Sequence, residues 1–249
     1  MQPGKKIYFA SDFHLGAPDH EKSLVRERLI CRWLDEVKKD AEEIYLVGDI
    51  FDFWFEHSFT VPKGFVRILG KIAELTDSGI KVHLFTGNHD MWMRDYLPKE
   101  LGVDIFYEPI SREYNGKQFF IGHGDGLGPG DHKYKFIKRL FASRISQWLY
   151  ARLHSNLSFW MANFFSRKSR AATGSSDEKF LGNENEWLYI FCRDHVKNNK
   201  TDYFVFGHRH LPLEINIENK AIYINLGDWL KYNSYAVFDG NKLELKYYK

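Results

Sequence analysis

The stretch "FVFGHRH", residues 204–210, ends an apolar run in two histidines held one residue apart. In an extended segment the side chains at i and i+2 share a direction. His208 and His210 are therefore expected to aim two imidazoles at one spot, with Arg209 turned away. Alone, an HxH at a strand end reads as a pair of surface histidines. Five more short runs rich in β-branched and aromatic residues also end in polar clusters: "KIYFASDFH" (6–14), "EIYLVGD" (43–49), "KVHLFTGNHD" (81–90), "QFFIGHGD" (118–125) and "AIYINLGDW" (221–229). Such runs read as strands.

Between the first three strands lie helix-length segments, Lys22–Lys39 and Gly64–Ser78. In the second, Phe65, Ile68, Leu69, Ile72 and Leu75 have the spacing of one helical face. Strand, helix, strand, helix, strand indicates a sheet with crossover helices. The C-terminal part, with "YAVFDG" and "KLELKYYK", reads as an antiparallel meander around turns at Glu218–Lys220 and Asp239–Asn241. The expected fold class is α/β, a mixed sandwich.

Residues 133–176 stand apart, with nine Lys or Arg and no acidic residue. They also hold "FIKRLF", "ISQWLYARL" and "LSFWMANFF", aromatic-rich and helical in spacing, and close on the turn "TGSS" (173–176). This reads as a helical insertion. Basic helices with a broad aromatic face suit a membrane surface, or an apolar pocket near an anionic group.

The whole chain of 249 residues can bury a sizeable core, as one domain or one domain with an insertion. A formal charge of +2 gives no overall case for nucleic-acid binding. Cys31 and Cys192 share no metal-type spacing and fall in expected helices, so reduced, packed thiols are expected. The N-terminus lacks a signal-peptide core, and there is no apolar run of the ~18 residues that crossing a membrane needs. The expected location is cytoplasmic.

The strand ends carry the chemistry. Asp12 and His14, Asp49, Asn88 and His89, His123, and His208 with His210 each close a different run. In open α/β sheets, ligands bind at the carboxyl ends of strands, and packing does not explain five runs delivering Asp, Asn and His to one edge. Gly48, Gly87, Gly122 and Gly207 precede these positions, where glycine lets backbone approach a site without a side-chain clash. Three Asp/Asn and four His fit Mn, Fe or Zn better than Mg or Ca. More ligands than one tetrahedral ion needs suggest two ions about 3.5–4 Å apart sharing a carboxylate.

The ordered set "DFH", "GDIFD", "GNHD", "GHGD" and "GHRH" resembles the calcineurin-like metallophosphoesterase family, from Asp12 to His210, in the family's order and spacing. The resemblance implies two mixed β-sheets flanked by helices (αββα), forming one domain over residues 1–249 with a helical lid inserted at 132–176. It implies two divalent ions, Mn first and Fe or Zn as alternatives. One would take Asp12, His14, Asp49 and His210; the other would take Asp49, Asn88, His123 and His208. His89 and Asp52 would then be catalytic. His89 would stabilise the transition state or protonate the leaving oxygen, and the Asp52 carboxylate would hold that imidazole charged and oriented. Asp90 and Asp125 are expected to orient ligands or act as caps, and Asp228 equally to be a turn residue.

Within the family, a lid after the "GHGD" strand, with "GDIFDFW" and "HGDGLGPGDHKY", resembles the UDP-2,3-diacylglucosamine pyrophosphatases of lipid A synthesis. That implies a lipid-linked nucleotide sugar cleaved to UMP and the acylated sugar 1-phosphate. It also implies contact with the cytoplasmic face of the inner membrane through the basic aromatic lid, and no nucleic-acid partner. Asn88, His89, Asp131, Tyr134, Arg167, Lys168 and Arg170 are the expected substrate contacts. The best-known members of that branch carry Arg where this chain has His89; "GNHD" is the general family form. The competing readings are a soluble phosphodiesterase acting on another nucleotide, a non-catalytic membrane or partner scaffold, and a nuclease.

Overall fold

The computed structural model describes residues 1–130, 132–162, 164, 180 and 182–249. Two sheets lie back to back. The first has the order β11(Leu243–Tyr247), β10(Ser234–Phe238), β1(Lys6–Ala10), β2(Ala41–Val47), β3(Lys81–Phe85), β4(Asp104–Phe106). Strands β1 to β4 are parallel, and β10 and β11 add antiparallel pairs. The second has the order β5(Ile110–Tyr114), β6(Lys117–Ile121), β7(Tyr203–Phe206), β9(Ala221–Leu226), β8(Pro212–Ile217). Here β6, β7 and β9 run parallel between antiparallel edges.

The strand period of two sorts the core. In β1, Ile7 and Phe9 face the second sheet and join Tyr45, Phe85, Phe119, Val205, Ile224 and Phe238. Tyr8 and Ala10 face the other way. There, Ile30, Trp33 and Leu34 of α1(His20–Val37) and Ile68, Ile72 and Leu75 of α2(Val66–Asp77) cover them. Leu188, Tyr189 and Cys192 of a later helix, α6(Trp187–His195), close the outer face of the second sheet on Phe204, Phe206 and Tyr223. Parallel strands covered on both faces read as continuous apolar runs, which is why "IYFA" and "YFVF" carry no polar alternation. The αββα sandwich is as expected.

Three expectations need correction. The C-terminal meander is divided: β8 and β9 pair in the second sheet, whereas β10 and β11 belong to the first. "SYAVF" is apolar on both faces because β10 sits between β1 and β11, inside a covered sheet. The first helix begins at His20 rather than Lys22, because Asp19 caps it by accepting from the Lys22 amide at 2.9 Å. Finally, the polar ends of the runs are not extended. Strand β1 stops at Ala10 and β7 at Phe206.

In the insertion, α4(His132–Ala142) and α5(Arg144–Tyr150) follow β6, and 155–162 is helical. The short α3(Tyr96–Leu101) precedes β4. Phe141, Tyr150 and Phe159 of the insertion pack, tilted or edge-to-face, against Phe53, Phe55 and Trp92 of the body. The Trp92 indole N–H donates to the Phe141 carbonyl at 3.0 Å. No described helix is long and apolar enough to cross a membrane.

Candidate metal centre

Asp12, His14, Asp49, His208 and His210 all have positive φ, between 43° and 69°. Non-glycine residues pay about 1 kcal/mol or more for this region and hold it mainly at functional sites. The shared aim of His208 and His210 thus comes from left-handed turns, not from the strand alternation expected of "GHRH". The two rings part company: His210 joins Asp12 and His14, and His208 joins Asp49 and His123. A third group is His14, Asp49 and His89.

The atoms crowd one edge of the sandwich. Asp12 Oδ1 lies 3.7 Å from His14 Nε2 and 3.6 Å from His210 Nε2. Asp49 Oδ2 lies 3.6 Å from His14 Nε2 and 3.4 Å from His123 Nε2. Asn88 Oδ1 stands 3.3 Å from His123 Nε2. Donors bound to one ion at ~2.0–2.1 Å sit roughly 3–3.5 Å apart, close to these separations. Asp12 Oδ1 and His14 Nε2 are buried without hydrogen-bond partners among the described residues, a costly arrangement that a cation between them would relieve. The donor set therefore fits a pair of divalent cations.

The local field agrees. Burial alone would raise Asp12 and Asp49, yet neighbouring histidines hold both carboxyls below their usual range. Burial likewise disfavours a charged His123, but Asp49 outweighs it and lifts His123 to about 10. The carboxylates thus make a place for positive charge.

Backbone fit explains the glycines. A Cβ on Gly87 would collide with the Asp49 carboxylate, and one on Gly207 would lie 2.5 Å from Asp12 Oδ2. Gly122, expected on the same pattern, instead faces Pro109 at 2.9 Å.

Supporting groups fix each turn. The buried Asp90 carboxylate accepts from the amides of Gly87 (2.7 Å), Ile50 (2.8 Å), Phe51 (3.2 Å) and Asp49 (3.3 Å), tying two loops together. Asp228 orients His210 through Nδ1 at 3.2 Å and also caps its own turn at the Lys231 and Tyr232 amides, so both expected roles hold together. The Val47 carbonyl, 2.9 Å from His123 Nδ1, leaves Nε2 facing the cluster. Asp125 accepts from Tyr134 at 2.6 Å and pairs with Lys138 at 2.7 Å, anchoring the insertion beside His123.

Asp52 meets His89 through two groups. Its backbone carbonyl is 3.1 Å from His89 Nδ1, while its carboxylate stands 3.8 Å from that atom and 3.5 Å from His14 Nδ1. Burial pushes His89 down to about 4, against the pull of Asp49. Of the expected substrate contacts, Asn88, His89 and Tyr134 are at the cluster, with Tyr134 6.4 Å from the His208 ring. Asp131, Arg167, Lys168 and Arg170 lie outside the described residues.

Two supports have no sequence signal. Arg26, mid-helix in α1, donates to the carbonyls of Phe13 (2.6 Å), His14 (2.6 Å) and Ala17 (2.5 Å). Arg209 does turn away from the cluster, into a buried pair with Glu186 at 3.1–3.2 Å. Removing one partner of a buried pair strands the other charge, at ~3–5 kcal/mol. Glu186→Ala should therefore lower stability by about 3–5 kcal/mol in denaturant unfolding. A loss below ~1 kcal/mol would show that the pair does not brace the His208–His210 turn.

Carboxylates and imidazoles gathered at one edge of a two-sheet sandwich define a metal-dependent phosphoesterase. The chain belongs to the calcineurin-like phosphoesterase family, whose model matches residues 5–212, and is accordingly a hydrolase. It is 41% identical, over 97% of both chains, to the UDP-2,3-diacylglucosamine hydrolase of Porphyromonas gingivalis. It is 24% identical, again over 97% of both, to the enzyme of that name from Shewanella sp. strain MR-4. Among solved structures, a dimetal phosphatase from Danio rerio shares the fold at a TM-score of 0.50, with 14% identity over 99% of this chain and 96% of that one.

Proposed function

We propose that the chain hydrolyses the pyrophosphate bond of UDP-2,3-diacylglucosamine, releasing UMP and 2,3-diacylglucosamine 1-phosphate. Asp12, His14, Asp49 and His210 would hold one divalent cation; Asp49, Asn88, His123 and His208 would hold the other. Mn is the first choice, with Fe and Zn as alternatives. When bound, such a pair polarises phosphoryl oxygens and lowers the pKa of a water between them. The chain's own groups do the rest. Asp49 supplies shared negative charge, and Asn88 offers an amide beside the phosphoryl position. His89, whose Nδ1 lies 3.1 Å from the Asp52 carbonyl, would meet a substrate oxygen or water.

The observation that carries the substrate is the aromatic wall that the insertion builds beside the cluster. Phe53 and Phe159 also line a cavity of about 720 Å³ that mixes Leu15, Leu24, Val61 and Phe65 with Glu27 and Lys63 and reaches the cluster at Asp52. Acyl chains need such a slot, and the full-length likeness to the P. gingivalis hydrolase supports the same reading. Ile145, Trp148 and Trp160 stand 74%, 56% and 64% exposed on the basic insertion. That face would rest on an anionic lipid surface, placing the chain peripherally on the cytoplasmic face of the inner membrane. The insertion at 132–176 would act as a lid within one domain.

The test compares the lipid substrate in mixed micelles with unacylated UDP-N-acetylglucosamine, reading UMP release. kcat/KM should favour the lipid at least about a hundredfold, the worth of three or four buried methylenes at ~0.8 kcal/mol each. Equal rates would favour a phosphodiesterase of soluble nucleotides instead.

A further inference from the structure

A second cavity, of about 370 Å³, meets the cluster from its other side, at His123 and Asp125. Both cavities mix apolar and charged groups, the first holding Glu27, Asp52 and Lys63, but the second gathers three cations from one helix. Lys135, Lys138 and Arg139 enter from α4; Thr86, Tyr107 and Glu108 enter from the loops after β3 and β4. Lys138 is matched by Asp125, and Lys135 donates to the Gly128 carbonyl at 2.6 Å. Arg139 has no hydrogen-bond or ion-pair partner among the described residues. Tyr107 is held by its hydroxyl, which donates to the Met93 carbonyl at 3.2 Å, while its side chain stays 54% exposed at the rim.

We propose that this cavity holds the nucleoside phosphate half of the substrate, so that the scissile phosphoryl lies over the cluster with the nucleotide on the His123 side and the acyl chains on the Asp52 side. This rests on the pyrophosphatase reading and names where its two ends go. An acyl chain here would lie against Arg139, whose charge has no partner among the described residues to replace its water, an unfavourable exchange. A nucleotide brings what the lining lacks. Its phosphate oxygens accept from Arg139, its base offers a face to Tyr107, and its ribose and base edges can bond Thr86 and Glu108. The size fits a small ligand site, which commonly begins at about 300 Å³.

Calorimetric titration of the full-length, Mn-loaded protein with UMP, and separately with inorganic phosphate, tests this. Both ligands bring a phosphate to the cluster, but only UMP brings a base to Tyr107. Tyr107→Ala should weaken UMP binding about tenfold while phosphate binding stays within about twofold; Arg139→Ala should weaken UMP binding about tenfold and phosphate binding less. Arg139→Lys should recover part of the loss. Both residues are exposed, so their replacement leaves the core intact. Unchanged UMP affinity in both Ala variants, or equal loss for UMP and phosphate, would overturn the assignment. The two readings separate cleanly. If the lipid substrate is not cleaved but UMP binding depends on Arg139, the cavity assignment stands and the substrate reading falls. If the lipid is cleaved and both variants bind UMP as the parent does, the cavity assignment falls alone.

Discussion

Asp49→Ala is expected to lower turnover by at least about a thousandfold. A single electrostatic stabiliser of a transition state commonly contributes 10²–10³-fold, and Asp49 serves two positions at once. Its Oδ2 faces His14 Nε2 at 3.6 Å and His123 Nε2 at 3.4 Å, while its Oδ1 accepts from the His89 amide at 2.9 Å. Losing it removes negative charge from both candidate ion positions and frees the turn that carries His89. Asp49→Asn separates these effects, because the amide keeps the shape and an oxygen acceptor but not the charge. Elemental analysis should find about two ions per chain in the parent and fewer in both variants. Near-normal turnover with full metal content would remove the bridging role.

Replacing 133–170 with a short Gly/Ser linker should abolish cleavage of the lipid substrate while sparing a small chromogenic phosphodiester. The cluster is built entirely from the body, so it survives. What goes is the wall formed by Phe141, Tyr150 and Phe159 over Phe53, Phe55 and Trp92. Burying a large apolar side chain is worth about 1.5–3 kcal/mol, so losing several apolar contacts costs well over two orders of magnitude in kcat/KM for an acylated substrate. The linker variant also exposes Phe55 and Trp92, now buried, and a milder change guards against simple unfolding. Trp148→Glu with Trp160→Glu alters only exposed positions and should slow hydrolysis on vesicles without touching the small diester. Equal loss on both substrates in both variants would make the insertion a structural brace.

Much of the centre was legible because its residues sit where strands end. Asp12, Asp49, Asn88, His123, His208 and His210 each close an apolar run, and that position follows from a local pattern of two. The aim of "GHRH" has another origin than strand alternation. Alternation along a strand would send both imidazoles to one place; left-handed turns instead deliver them to two groups. The C-terminal strands misled for a related reason. Local pattern identifies β8 to β11 as strands, but which sheet receives each depends on which faces find cover, a contest among distant segments.

Glu186 and Arg26 show where local reading ends. Arg26 sits mid-helix like any solvated arginine, and only the fold places three carbonyls around its guanidinium. Glu186 follows a long insertion and meets Arg209 across 23 residues. No spacing rule encodes that distance, because loop length between contacting elements carries only a weak entropic penalty.

By itself, the sequence determined the strand and helix period, the α/β class, the identity of the chemistry-bearing residues and the strand ends they occupy. These follow from side-chain alternation and turn chemistry acting over a few residues. Only the tertiary structure decided which imidazole lies beside which carboxylate, that burial pushes His89 down, and that two cavities flank the centre. Those depend on burial and on charges brought close from remote parts of the chain, and neither exists until the two sheets close on each other.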